Sequence, residues 1–231
     1  MDLKLYFSPG ACSRVPMIAL EEIGAPFETR LVAFMKGEHR APAYLALNPA
    51  GKLPLLVADG RPLAQNVAIL TFLARTFPEA GLLPFTGDPY EDSQILRWLA
   101  WCASDLHPIV TRIRIPVFFC DLPEAPARVR AMAEAAMAAQ LAPVEAQLGT
   151  RPWLLGETWS AVDAYFYWIW FRISGAGFDP GPFPNIADFA RRMEARPAVR
   201  RTIARDDAAQ AELEQRGLAM TFAPVPAPGG A

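Results

Sequence analysis

The residue with the clearest chemical potential is Cys12, which lies just past a short apolar strand and just inside a predicted helix start. The strand is predicted over Leu3–Phe7 and the helix over Arg14–Ile23, with a Pro-Gly turn between them. A helix N-terminus presents unpaired backbone N–H groups and a partial positive charge. Both favour a thiolate, so we expect Cys12 to be more acidic than an ordinary cysteine. No cysteine follows in residues 13–15, which excludes an internal disulfide there.

Length and composition restrict the class of protein. The chain has 231 residues, of which 52% are hydrophobic, so it is expected to fold as one large or two small globular domains. The formal net charge of −2 predicts neither a nucleic acid nor an acidic membrane surface as partner. Cys12, Cys102 and Cys120 lack the spacing of a disulfide framework or a metal site, which predicts a reducing cytoplasm. No stretch predicts a signal peptide or a membrane span.

The elements that must position Cys12 form a mixed pattern in the first eighty residues. An Asp-Gly turn at residues 59–60 predicts a hairpin, and Asn66 is predicted to cap the helix that follows. A strand–helix–strand unit followed by a hairpin and a helix predicts a small mixed sheet with helices on its faces. The predicted strands are Leu3–Phe7, Phe27–Val32, Leu53–Val57 and Arg61–Leu63.

The rest of the chain is predicted to be helical. A Pro- and Gly-rich linker covers residues 81–88, with a helical domain over 89–220 and a mobile tail over 221–231. Pro108 is expected to interrupt or bend the chain after the first of these helices. The segment from Ser160 is apolar on nearly every side and begins with a Ser160–Asp163 capping box, so it belongs in the core. The predicted helices are Glu91–His107, Ala127–Leu148, Ser160–Ser174, Asn185–Arg196 and Val199–Gln215.

Several motifs at matching spacing carry a family resemblance. They are Leu-Tyr-Phe-Ser-Pro-Gly-Ala-Cys-Ser at 5–13, Asn-Pro-Ala-Gly-Lys-Leu-Pro at 48–54, Gln-Asn at 65–66, Asp-Leu-His at 105–107 and Gly-Glu-Thr-Trp-Ser-Ala-Val-Asp at 156–163. With them the chain resembles the cytosolic glutathione transferases, most closely the bacterial beta class. The resemblance implies the glutathione transferase architecture: an α/β thioredoxin-like N-terminal domain over residues 1–80 and an all-α C-terminal domain. It also implies a cytoplasmic homodimer.

The resemblance implies a glutathione site in the first domain. A cis peptide between Leu53 and Pro54 would turn the Leu53 backbone groups toward the glutathione cysteinyl backbone, although an edge-strand proline is the alternative. Gln65 and Asn66 would hold the γ-glutamyl group at a helix start, a departure from the family's acid-or-amide plus Ser pair, or simply cap the helix. Lys36 would face the glycyl carboxylate or lie on the surface.

Three residues compete for the activating role. Cys12 forms a mixed disulfide with glutathione, hydrogen-bonds its thiolate, or is a small buried hydrophobe. Ser13 is its main competitor, because a hydroxyl donates equally well to a thiolate. His107 faces away from its helix's apolar stripe, toward a cleft with Ala100, or is a polar helix end. Asp105 reaches the partner's glutathione across a dimer or is a solvated acid, and His39 is predicted to be a surface residue.

The sequence thus favours an enzyme in which a stabilised glutathione thiolate conjugates electrophilic small molecules, as in detoxification. One alternative is a glutathione-dependent thiol-disulfide oxidoreductase, or a thioether or ether lyase, that uses Cys12. Another is a non-catalytic binding module of the same fold. Glutathione is the expected co-substrate in the first two, and no resident metal is predicted.

Overall fold

The computed structural model describes residues 1–120 and 122–219, so the tail predicted over 221–231 lies outside the described residues. The chain divides into two compact units. The first contains Met1–Pro84 together with the described residues from Glu194 onward, and the second contains Phe85–Met193. The grouping differs from the predicted boundaries, which placed residues 89–220 in the second domain.

The first unit contains the predicted mixed sheet. Its strands are β1 (Leu3–Phe7), β2 (Glu28–Leu31), β3 (Leu55–Ala58) and β4 (Arg61–Ala64), in the order β2-β1-β3-β4. Strand β1 runs parallel to β2 and antiparallel to β3, and β3 and β4 form the predicted hairpin. Strand β1 shows the alternating burial of a strand that covers a core with one face. The helices of this unit are α1 (Arg14–Ile23), α2 (Pro42–Leu45), α3 (Asn66–Thr76) and α9 (Pro197–Gln215).

Helix α9 joins the first unit because α1 buries charged side chains that need partners. Arg14 and Glu21 of α1 are both buried. A buried charge is costly unless it is paired, and α9 supplies the opposite charges. The pairs are Arg14 with Asp206, Glu21 with Arg201 and Arg205, and Glu22 with Arg196, the last just before α9 begins. A single sequence does not show these partners, which is why the predicted boundary differs.

The second unit is helical, as predicted. It contains α4 (Pro89–Ala100), α5 (His107–Arg114), α6 (Ala125–Leu148), α7 (Ala161–Ser174) and most of α8 (Pro184–Ala195). Helix α7 is buried along nearly its whole length, and Tyr165, Phe166 and Tyr167 are among the largest fully buried side chains. The predicted capping box at its start is present. The Asp163 carboxylate accepts hydrogen bonds from the Ser160 N–H at 2.8 Å and the Leu154 N–H at 2.8 Å.

The helical path is not interrupted at Pro108, where an interruption or a bend was predicted. Between α4 and α5, residues Trp101–Leu106 form a π-helical segment, and the His107 N–H donates to the Cys102 carbonyl five residues earlier. The wider turn leads directly into α5, where Pro108 occupies the first helical turn and its missing N–H is tolerated. Within the described residues, no helix is both long and apolar enough to cross a membrane.

Candidate active site

The loop between β1 and α1 holds Cys12 outside the helix rather than just inside it. Helix α1 begins at Arg14, two residues after Cys12. The Cys12 carbonyl accepts a hydrogen bond from the Val15 N–H, with N and O 3.2 Å apart, so Cys12 belongs to the turn that leads into the helix. Ser13 is fully buried. Its hydroxyl accepts the Ser8 N–H and donates to the Ser8 carbonyl, each at 3.3 Å. The Ser13 side chain therefore closes the loop on itself, while Cys12 is partly exposed.

The thiol of Cys12 meets the segment that precedes β3. Its Sγ lies 3.4 Å from the Leu53 carbonyl oxygen, to which the thiol donates. The Leu53–Pro54 peptide is cis, as the family resemblance implied. Leu53 is partly buried and Pro54 is buried, so the proline packs inward while Leu53 stays accessible beside the thiol.

Two side chains fix the residue before Leu53. The Tyr44 hydroxyl donates to the Lys52 carbonyl at 2.7 Å, and Asn48 Nδ2 donates to the same oxygen at 2.8 Å. Burial raises the pKa of Tyr44 to about 12, so the hydroxyl keeps its proton at neutral pH. Neither residue was predicted to support the site, although Asn48 opens the Asn-Pro-Ala-Gly motif of this segment.

Helix α3 also contacts Cys12, at its backbone carbonyl. Asn66 is the first helical residue and not the cap, which is Gln65 with φ of 75° and ψ of 125° and no side-chain capping bond. A positive φ is costly for a residue with a side chain. Asn66 is buried, and its Nδ2 donates to the Cys12 carbonyl at 3.2 Å. Gln65 is exposed at the mouth of this junction. The structure thus brings Cys12, Leu53, Pro54 and Asn66 together, with Gln65 next to them.

A cavity of about 500 Å³ extends from Lys52 and contains a histidine expected at the surface. His39 is only 8% exposed, and its ring stacks on Phe34 with centroids 3.9 Å apart. Burial and the neighbouring Arg40 lower its pKa, so the ring is neutral at pH 7. Arg40 and Lys52 give the lining a positive charge suited to a carboxylate. The lining residues are Phe34, His39, Arg40, Leu45, Pro49, Ala50, Gly51 and Lys52.

Lys36 is not among the residues brought together. It ends a short 3-10 turn, is exposed, and contacts none of the site residues by a hydrogen bond or ion pair within the described part of the chain. It lies on a surface turn between β2 and β3. Among the described residues, no group of three or more His, Cys, Asp or Glu side chains is arranged to hold a metal ion.

His107, which was predicted to line the site, lies in an aromatic cluster of the second unit. His107 Nδ1 and the buried Tyr165 hydroxyl share a hydrogen bond of 2.9 Å, and the Trp168 ring lies 4.4 Å from the imidazole, centroid to centroid. When Nδ1 accepts this bond, Nε2 carries the proton and can donate. Asp105, two residues earlier, is exposed on the π-helical segment, and its carboxylate lies 3.4 Å from the Ser104 hydroxyl.

Comparisons with known proteins agree with this geometry. Family models match the chain twice: "Glutathione S-transferase, N-terminal domain" over residues 1–75 and "Glutathione S-transferase, C-terminal domain" over residues 104–197. A glutathione S-transferase of Xanthomonas campestris is 35% identical over 218 residues, which cover 94% of this chain and all of the relative.

Solved structures extend the match to three dimensions. A glutathione S-transferase from Xylella fastidiosa superposes with a TM-score of 0.82 at 30% identity, covering 89% of this chain and 98% of that one. A sphingomonad glutathione S-transferase complexed with glutathione gives a TM-score of 0.77 at 30% identity, covering 88% and 98%. The chain therefore belongs to the glutathione S-transferase family.

Within that family, the similarity to the bacterial beta class is confirmed. A beta-class glutathione S-transferase of Sphingomonas chungbukensis matches with a TM-score of 0.77 at 28% identity, covering 88% of this chain and 98% of that one. The predicted fold class is confirmed with it, and so is the expectation that the protein is an enzyme of the glutathione transferase type.

Proposed function

We propose that the first unit binds glutathione along the segment before β3 and at the start of α3, and that the bound thiolate is conjugated to small electrophiles. The observation that carries the proposal is the junction of Cys12, Leu53 and Asn66, whose atoms meet at 3.2–3.4 Å. A tripeptide laid along this junction has backbone partners at Leu53 and an N-terminal helix end for a carboxylate. Its sulfur then lies beside Cys12, near the positive end of α1.

Each residue has a distinct role in this proposal. The Leu53 backbone orients the cysteinyl part of glutathione, and the Asn66 N–H with the exposed Gln65 side chain holds the γ-glutamyl part. Arg40, Lys52 and Lys36 are candidates for the glycyl carboxylate, the first two because they line the adjoining cavity. On binding, the Cys12 thiol turns its one S–H from the Leu53 carbonyl to the glutathione thiolate, which lowers the pKa of the glutathione thiol and frees the carbonyl for the cysteinyl N–H. Ser13 supports the loop, since its hydroxyl is already bonded to Ser8.

The chemical step follows from these positions. The glutathione thiol loses its proton to water, and the thiolate attacks the electrophilic carbon to form a C–S bond while the leaving group departs with its electron pair. Binding both reactants in one site supplies proximity, and the stabilised thiolate supplies nucleophilicity. The roles of His107 near the glutathione sulfur and of Asp105 across a dimer remain predictions from the resemblance, as does a twofold homodimer in the bacterial cytoplasm.

The partial exposure of Cys12 favours a second candidate activity. In a disulfide reductase, the Cys12 thiolate attacks a glutathionylated substrate, forms a mixed disulfide with glutathione and releases the substrate thiol. A second glutathione thiolate then releases glutathione disulfide and regenerates Cys12. No resolving cysteine is needed in this sequence of steps.

Three assays separate the candidates. Retention on glutathione-agarose and conjugation of 1-chloro-2,4-dinitrobenzene test the transferase, and reduction of a glutathione mixed disulfide tests the second activity. Cys12→Ser should abolish disulfide reduction and retain part of the conjugation, because a hydroxyl still donates to a thiolate. His107→Ala should lower conjugation without changing retention. No retention, together with no thermal shift at millimolar glutathione, would contradict the proposed function.

A further inference from the structure

A carboxylate from the far end of the chain reaches the loop that carries Cys12. Asp206 of α9 accepts the Gly10 N–H at 3.2 Å on its Oδ2. The same oxygen accepts Arg14 Nε at 2.8 Å and pairs with Arg14 Nη2 at 2.7 Å. Gly10 lies two residues before Cys12 and Arg14 two residues after it. One carboxylate oxygen therefore holds both flanks of the cysteine.

The ion pair between Arg14 and Asp206 is buried, which strengthens it. The side chains of Arg14 and Asp206 are only 6% and 4% exposed. Hydrogen bonds between ionised groups are shorter and stronger than neutral ones, and solvent does not screen them at this depth. The other oxygen, Asp206 Oδ1, is buried without a hydrogen-bond partner in the described part of the chain. The hydrogen bonds of Asp206 are thus directed at the Cys12 loop.

The other hydrogen bonds that hold the Cys12 loop involve atoms that Asp206 does not contact. Ser13 closes the loop on Ser8, and Asn66 holds the Cys12 carbonyl from the side of α3. Gly10 itself has φ of 65°, a backbone conformation that favours glycine. Asp206 fixes the N–H of this residue, so it sets the direction in which the loop approaches Leu53.

We infer that Asp206 is a positioning residue for Cys12, acting through the Gly10 N–H and the Arg14 guanidinium. Without its charge, the loop relaxes and the Cys12 thiol moves away from the Leu53 carbonyl. The importance of this position for glutathione rests on the proposed function, in which Cys12 lies beside the glutathione sulfur.

The same pair of helices offers a matched control. Glu21 of α1 pairs with Arg201 at 2.5 Å and Arg205 at 2.6 Å, both on α9. These ion pairs join the same two helices farther along α1. None of the three residues contacts the Cys12 loop through them. Glu21→Gln therefore removes charge pairing between α1 and α9 without removing a contact to Gly10. Asp206→Asn makes the equivalent change at the loop and keeps the size of the side chain.

The test measures the alkylation rate of Cys12 by iodoacetamide between pH 5 and 9, using peptide mass spectrometry on the full chain in a Cys120→Ser background. We expect Asp206→Asn to raise this rate about fivefold or more, because a lost charge-assisted hydrogen bond is worth about that factor or more. Glu21→Gln should stay within twofold of the parent protein. The glutathione Kd, measured by calorimetry, should rise by a similar factor in Asp206→Asn alone.

A second variant keeps the test decisive if Asp206→Asn does not fold. Buried ion pairs are often replaced by apolar residues without loss of folding, so Arg14→Met/Asp206→Leu removes the Gly10 anchor in a folded protein. It should also accelerate alkylation of Cys12. A folded variant of either kind with the parent alkylation rate overturns the inference, as does an equal change in Glu21→Gln. Alkylation needs no glutathione, so a protein that fails to bind glutathione but shows the Asp206 effect refutes only the proposed function.

Discussion

The Lys52 carbonyl offers a quantitative test of how the segment beside Cys12 is held. It accepts hydrogen bonds from both Tyr44 and Asn48, at 2.7 and 2.8 Å. Tyr44→Phe leaves one donor in place and should cost about 1 kcal/mol of unfolding free energy. Asn48→Ala should cost about 2 kcal/mol, because its Oδ1 also accepts the Ala50 N–H at 3.3 Å.

The double variant is the informative one. With both donors gone, the part-buried carbonyl loses its side-chain partners, and an acceptor without a partner costs about 1–3 kcal/mol to the extent that it is shielded from water. The double variant should therefore be destabilised by about 1 kcal/mol more than the sum of the two single changes. Urea denaturation of the full chain, followed by far-UV circular dichroism, measures each value. Tyr6→Phe is the matched control. It removes a hydroxyl from a ring that packs edge-on against Tyr44, with ring centroids 5.8 Å apart, but it removes no hydrogen bond to the Lys52 carbonyl.

The raised pKa of Tyr44 predicts how the effect of Tyr44→Phe on stability depends on pH. Because burial raises it to about 12, the hydroxyl remains a donor across the range from pH 6 to about pH 10. The difference in stability between the parent protein and Tyr44→Phe should be constant over that range. Strictly additive costs, or a difference that vanishes by about pH 9, would refute the argument that two donors share one carbonyl.

Three further outcomes are expected. Gln65→Gly should stabilise the chain by about 0.5–1 kcal/mol in urea denaturation, since glycine adopts the φ of 75° without strain, yet raise the glutathione Kd in calorimetry by removing a proposed ligand. Asp163→Asn should destabilise by about 2 kcal/mol at pH 7, because its carboxylate accepts three hydrogen bonds. Burial raises the folded pKa of Asp163 from 3.8 to about 6, so the native state binds more protons than the unfolded chain in that interval. The contribution of Asp163 to the stability of the parent protein should therefore fall as pH rises from about 4 to about 6. Thermal denaturation measures this pH dependence, and Asp163→Asn should lack it.

The secondary structure was largely predictable because its signals are local. The bounds predicted for β1 and α1 agree with the structure, and the Asp-Gly turn at residues 59–60 does join a hairpin. The Ser160–Asp163 capping box begins α7 as expected. Strand alternation, turn residues and helix caps depend on residues a few positions apart, so one sequence contains them. One exception is Pro108, where a π-helical segment tolerates a residue that normally ends a helix.

The site was predictable only in part. Motif spacing identified Cys12, Leu53, Pro54 and Asn66, and the structure brings these four together. Sequence reasoning did not find that the Asn66 amide points to the Cys12 carbonyl or that His39 is buried against Phe34. The direction of a side chain depends on which groups the fold places opposite it, and those groups lie many residues away.

By itself, the sequence determined most of the elements, the mixed sheet and the membership of a glutathione-binding family, because periodicity and motif spacing are properties of the linear chain. Only the tertiary structure decided that α9 belongs with the first unit and that Asp206 holds the Cys12 loop. The physical reason is burial: the charge on Arg14 is stable in the interior only because folding brings an opposite charge from 192 residues away.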